Sequence, residues 1–143
     1  MLSLLGKALK EDCVVELLET HDANVIYAFD RLHENTPDIY WASLPTAGVL
    51  LRFNERQILS TIFCYVVARE GFDAVAREAI GIPLYETFQL AEEACQLNNA
   101  AYTASPSRSW LKVLDNTHQT HYEYSDGSLS LITLMLPELA IEA

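Results

Sequence analysis

Thr120-His121-Tyr122-Glu123-Tyr124-Ser125-Asp126-Gly127-Ser128, running on through Leu129 to Leu136, is the stretch whose reading decides the fold. Its first part is rich in β-forming types, and its second part is apolar enough for a buried return strand. The Asp126-Gly127 pair between them is the dipeptide that closes tight β-hairpins. Pro137, which has no backbone N–H to donate, ends the return strand. Upstream, Ser109-Trp110-Leu111-Lys112-Val113-Leu114 reads as another strand, set off by a loop at Ser105-Pro106-Ser107. Before that loop, Phe88, Leu90, Ala91, Ala94, Cys95 and Leu97 fall at helical spacing, and Asn98-Asn99 stops the helix. Ile80-Gly81-Ile82-Pro83-Leu84 precedes it.

The same order of signals occurs earlier in the chain. Leu5-Gly6-Lys7-Ala8-Leu9 echoes the segment at Ile80. An amphipathic helix follows, with Val14, Leu17 and Leu18 on one side and Glu11, Asp12, Glu16 and Glu19 elsewhere. Asp12 is its candidate N-cap, and the helix ends near His21-Asp22-Ala23-Asn24. After a loop around Asn35-Thr36-Pro37-Asp38 come three strand-like stretches, Ile39–Ala42, Gly48–Phe53 and Ile58–Val67, the last two joined by the polar turn Asn54-Glu55-Arg56. Gly6 and Gly81 are 75 positions apart, Trp41 and Trp110 are 69, and Phe53 and Tyr124 are 71. A nearly constant offset over three landmarks points to an internal repeat.

The expected fold class is therefore α+β, built from two helix–strand–strand–strand repeats with antiparallel sheet packed on helices and one sheet face open. Residues 1–68 form the first repeat, 69–79 a connecting segment with a short helix, and 80–143 the second. One such unit buries too little surface to be stable alone, so the two are expected to form a single compact body.

The Leu-Gly-x-x-Leu opening before a helix, the tryptophan strands and the closing Asp-Gly hairpin resemble the SmpA/BamE-like superfamily of small α+β domains. The tandem arrangement is similar to that of the β-lactamase inhibitor protein. The stretch from Tyr122 to Met135 also resembles small bacterial immunity-type proteins of toxin systems. The resemblance implies a protein that neutralises a partner by binding it.

Composition narrows the functions. The chain has 143 residues, half of them hydrophobic and a fifth charged, the balance of a globular protein. Nine Lys+Arg against twenty Asp+Glu leave a formal charge of −11. That field repels phosphate backbones and anionic membranes and draws in basic proteins. The open sheet face is expected to share this negative charge. Three cysteines far apart, Cys13, Cys64 and Cys95, do not make a disulfide framework, and each reads as a small buried hydrophobe. No apolar run approaches the length of a membrane span, and Met1–Leu9 lacks the pattern of a secretory signal, so a cytoplasmic location is expected.

No recognisable catalytic apparatus is present. His118 and His121, three apart on a strand, fall on opposite faces, and His21 and His33 lie far away in sequence. No Cys-x-x-Cys, His-Glu-x-x-His, Gly-x-Ser-x-Gly or phosphate-loop pattern occurs. Glu11-Asp12 and Glu92-Glu93 read as solvated helix faces. No catalytic residue, metal or cofactor is assigned. The aromatics suggest binding instead, because exposed aromatic residues dominate interaction hot spots. Alternation puts one of Tyr40 and Trp41 toward the helices and the other toward solvent. Asp38, Tyr40, Tyr122, Glu123 and Asp126 are the candidate partner contacts. The expected function is a non-catalytic protein-binding module, most sharply an immunity-type inhibitor of a basic toxin or effector. The alternative is a regulatory or scaffold protein that forms a homodimer through a sheet edge, with a small enzyme of unknown type behind it.

Overall fold

The computed structural model describes residues 1–28 and 38–137. The predicted loop at Asn35-Thr36-Pro37 and the side chain of His33 lie outside the described residues. Helix α1 spans Asp12–Thr20 and helix α2 Phe88–Leu97. The strands are β1 (Val25–Ala28), β2 (Ile39–Leu44), β3 (Val49–Phe53), β4 (Leu59–Tyr65), β5 (Tyr102–Ala104), β6 (Trp110–Leu114), β7 (Gln119–Ser125) and β8 (Ser128–Met135). They form one sheet in the order β1-β2-β3-β4-β8-β7-β6-β5, antiparallel throughout.

This corrects the expected fold class. An eight-stranded antiparallel sheet carrying two short α-helices takes the place of an α+β protein made of two helix–strand–strand–strand repeats. Two physical reasons account for the difference. Strands β1 and β5 hold four and three residues, too few for alternation to register in sequence. Strands β4 and β8 then pair from Thr61↔Met135 to Tyr65↔Leu131, which fuses everything into a single sheet. The helices, nine and ten residues long, are below the length at which isolated helices persist, so packing on the sheet stabilises them. Helix α2 starts on a Thr87 side chain that accepts from the Leu90 N–H. Helix α1 starts after Glu11 with no side-chain cap, so Asp12 is its first residue and not its cap.

Both helices pack on the same side. Val14 and Leu18 of α1, with Phe88, Ala91 and Cys95 of α2, share one core with Ala42, Leu44, Leu51, Phe53, Ile62, Leu111, Tyr122, Tyr124, Ile132 and Leu134. Cross-strand register places all of these strand residues on one face of the sheet.

The turns follow local chemistry. Asp126 and Gly127 both have positive φ, +53° and +82°, the paired left-handed conformation of the tightest hairpin turn. At the other hairpin the Asn54 side chain accepts from the N–H groups of Arg56 and Ile58 and folds the chain back. Gly48, at φ +70°, has no room for a side chain, since a Cβ there would fall on the Asp73 carbonyl oxygen and 2.6 Å from the Val75 nitrogen. The predicted helix in the connecting segment is a single 3-10 turn at Arg77–Ala79.

Candidate functional site

Neither α-helix covers the second face of the sheet among the described residues. Following the ladders from strand to strand, its side chains form three rows. One runs Ile26, Trp41, Arg52, Thr61, Met135, Gln119, Leu114. The next runs Ser43, Leu50, Phe63, Thr133, His121, Lys112, Thr103. The third holds Tyr65, Leu131, Glu123 and Trp110.

Aromatic rings group on this surface. Trp41 stacks on Phe63 with ring centroids 6.3 Å apart, and the Arg52 guanidinium lies 5.9 Å from the Trp41 ring. Tyr65 stacks on Phe72 at 4.5 Å, with the Arg69 guanidinium 5.4 Å from its ring. On the far side Trp110 leans against His121 at 5.2 Å. Burial lowers the pKa of His121, Glu123 acting to raise it and Lys112 to lower it further. Trp41, Phe63, Trp110 and Leu50 remain half-buried, and among the described residues neither α-helix lies over them.

The charge on this face differs from the expectation. Of the twenty acidic residues in the chain, Glu123 alone lies in a described strand, whereas Arg52 and Lys112 both do. Among the described residues the other carboxylates sit on the helices and in turns and loops, because a sheet row shared with several neighbours desolvates charge that these positions leave in water. Glu55 in the β3–β4 turn, Glu70 after β4, Asp115 between β6 and β7, and Asp126 in the β7–β8 turn are exposed. The second face therefore mixes aromatic and apolar side chains with Thr, Arg52, Lys112, His121 and Glu123, and acidic turns border it.

The five candidate contacts do not form a cluster. Tyr122 is 3% exposed on the helix side, where its hydroxyl donates to the Pro83 carbonyl, so it is a core residue and not a contact for a protein partner. Tyr40 also faces the helix side and meets Tyr27 at 5.0 Å, which sends its neighbour Trp41 to the open face. Asp38 borders a hollow of about 100 Å³ with Arg52, Arg56 and Ser60 at the end of β2. Glu123 lies on the open face beside Trp110, and Asp126 lies in the exposed turn beyond it. Trp41, Phe63, Tyr65 and Trp110 are the residues the sequence reading passed over. Their common face follows from register, which needs the pairing partners and cannot be counted along one strand.

The reactive side chains are scattered. Cys64 is buried and its thiol is pushed up to about 12 by desolvation, the N-terminal ammonium acting the other way. Cys95 is also buried and raised by desolvation first and Glu92 second. Cys13 is exposed, against the expectation that all three cysteines are buried. Among the described residues no group of three or more His, Cys, Asp or Glu side chains is arranged to hold a metal ion. Nor is any helix among them long and apolar enough to cross a membrane.

Comparison with protein-family models, with curated proteins and with solved structures found no match.

Proposed function

We propose that this chain is a non-catalytic protein-binding module that docks a partner on the helix-free face of its sheet. The observation that carries the reading is the placement of half-buried Trp41, Phe63 and Trp110 on that face, which neither described α-helix covers. Half-buried aromatic side chains already held by neighbours lose little conformational freedom on contact, which suits them as anchors. The acidic turns around them form a polar rim that steers a basic partner toward the aromatic side chains. In its sharpest form the protein is an immunity-type inhibitor that covers a basic toxin or effector in the cytoplasm, the function implied by the resemblance of the Tyr122–Met135 stretch.

The deciding experiment is affinity capture from the cells that make the protein, at low and high salt, with the wild-type chain and a Trp41→Ala/Trp110→Ala double variant. A basic protein retained by wild type, weakened by salt and lost with the double variant supports the reading. Capture of the same proteins by both chains overturns it.

A second reading has its own observation. Edge strand β1 exposes Val25, Ile26 and Tyr27 at 39%, 62% and 45%, an apolar edge of the kind that pairs with another strand. A homodimer joined there would persist at high salt in size-exclusion chromatography and would dissociate on Ile26→Pro, which removes a ladder donor.

A further inference from the structure

On the helix side of the sheet, away from the proposed docking face, a cleft of about 200 Å³ opens between α2, the 82–85 segment and strands β6 and β7. Its architecture is preformed. The Tyr122 hydroxyl donates to the Pro83 carbonyl at 2.9 Å and the Tyr124 hydroxyl donates to the Tyr85 carbonyl at 3.0 Å, which fastens the 82–85 segment to the sheet. The rings of Tyr85 and Tyr122, 5.4 Å apart, line one part of the cleft, and the small side chains of Ala94 and Ala100 line another. Among the described residues no Lys, Arg, Asp or Glu contributes to its lining.

Three polar side chains, Thr120, Asn98 and His118, belong to this lining. Thr120 is 4% exposed, and its hydroxyl makes no hydrogen bond with any described side chain or backbone group. The hydroxyl oxygen is not among the buried unpartnered atoms of the described residues, so it keeps access to the cleft, where a ligand or water can meet it. Asn98 is exposed at the rim, with its amide open to water. His118 stands at the edge of a small polar cluster. The Asp115 carboxylate accepts from both the Thr117 N–H and the Thr117 hydroxyl, at 3.0 and 3.2 Å. The Thr117 hydroxyl oxygen also lies 3.0 Å from His118 Nδ1. The same ring forms part of the wall of an adjoining hollow of about 270 Å³ beside Leu2, Leu5 and Leu136.

We propose that this cleft is a binding site for an uncharged, planar ring compound of one or two rings bearing a carboxamide-like pair of donor and acceptor groups. The size fits, since a protein cavity of about 150 Å³ already accepts benzene. The tyrosine rings and small alanines favour a flat ring. Asn98, Thr120 and His118 place an amide, a hydroxyl and an imidazole along this cleft, donor and acceptor groups of the kind an amide edge pairs with. The absence of a cation from the lining disfavours a carboxylate.

The test is a ¹H–¹⁵N NMR titration of the full chain with benzamide, with benzoate as the charged control and cyclohexanecarboxamide as the non-planar one. Benzamide is expected to give saturable shifts centred on Ala94, Ala100, Val113 and Thr120, with a Kd in the range of about 0.1–1 mM. Ala94→Leu, which fills the cleft from a helix position, should weaken binding by about tenfold or more, and Thr120→Val by roughly 3- to 10-fold. The same spectra report whether each variant is folded. Shifts that do not saturate by about 10 mM, equal binding by folded Ala94→Leu, or benzoate or cyclohexanecarboxamide binding as tightly as benzamide would each overturn the proposal.

Discussion

The Ser60 hydroxyl donates to the Arg52 carbonyl across the β3–β4 ladder at 3.2 Å. The register slips at that point, with Arg52 opposite Thr61 and Phe53 opposite Leu59, so that Ser60 is the extra residue of a β-bulge. The second central hairpin has the same device. Glu123 faces Leu131 and Tyr124 faces Leu129, leaving Ser130 as the extra residue, with its hydroxyl 3.1 Å from the Glu123 carbonyl. Each serine hydroxyl satisfies a carbonyl on the neighbouring strand beside the slipped pairing. Ser60→Ala and Ser130→Ala are each expected to lose about 1 kcal/mol of stability by urea unfolding, and the double variant about twice that, since the sites share no partner. A change below the error of the fit in both single variants would show that the hydroxyls do not hold the bulges.

Gly48 sits where the chain turns into β3 beneath Asp73 and Val75. Gly48→Ala adds a methyl group against backbone on both sides and forces a left-handed conformation on a residue with a side chain. The expected loss exceeds about 3 kcal/mol, read as a lowered denaturation midpoint or as failure to fold. By contrast, a Cβ at Gly127 meets nothing within 4 Å, so Gly127→Ala should cost only its conformational strain, about 1 kcal/mol.

On the open face, Trp41 and Trp110 are the expected anchors of a bound partner. Truncating either to alanine should weaken a captured partner by about 30-fold or more, the range of interface hot spots. The double variant should keep its far-UV circular dichroism spectrum. Asp126→Asn, in the acidic rim, should mainly slow association and flatten its salt dependence. Surface plasmon resonance separates the two behaviours.

His121 lies on the same face, between Lys112 and Thr133 on the neighbouring strands and beside Trp110. Its folded pKa is below the unfolded value because burial disfavours the charged ring. The unfolded chain therefore binds this proton more readily. The resulting stability is present above the unfolded value of about 6.5 and is lost as the pH falls through it toward the folded pKa. His121→Gln should flatten the stability profile between about pH 7 and pH 5 relative to wild type. Profiles of the same slope would assign that pH dependence to other groups.

The three thiols should react in a fixed order. Cys13 is exposed on α1, whereas Cys64 and Cys95 are buried with raised pKa values. Iodoacetamide at neutral pH is expected to alkylate Cys13 in the native protein and the other two only after unfolding, as peptide mass spectrometry would report. Cys64 modified at the same rate as Cys13 would contradict its burial.

The parts legible in the sequence were those with strong local chemistry. Helix α2, with its regularly spaced Phe88, Ala91 and Cys95, and the Asp126-Gly127 hairpin could be read from a few neighbouring residues. Strands β1 and β5 could not, because Val25–Ala28 and Tyr102–Ala104 are too short to show a period. The pairing of β4 with β8 was equally hidden, since it joins residues about 70 positions apart and has no local signature. That one ladder decides the architecture. The site suffered for the same reason. Tyr122 and Trp110 both look like binding aromatics on type alone, and only the register puts Tyr122 under α2 and Trp110 on the outer face. The total charge of the chain was equally uninformative about its distribution, since carboxylates collect on helix flanks and turns while Arg52 and Lys112 occupy the strands.

The meeting of β4 and β8 in the middle of the sheet has a consequence for biogenesis. β8 is the last of the eight strands to leave the ribosome, yet it occupies an interior place. Until it emerges, β4 presents a bare row of amide and carbonyl groups, and the nascent chain carries an apolar half-sheet with an unsealed flank. The central zipper then closes over a long loop, which slows completion and makes the waiting half-sheet the species most in need of a chaperone.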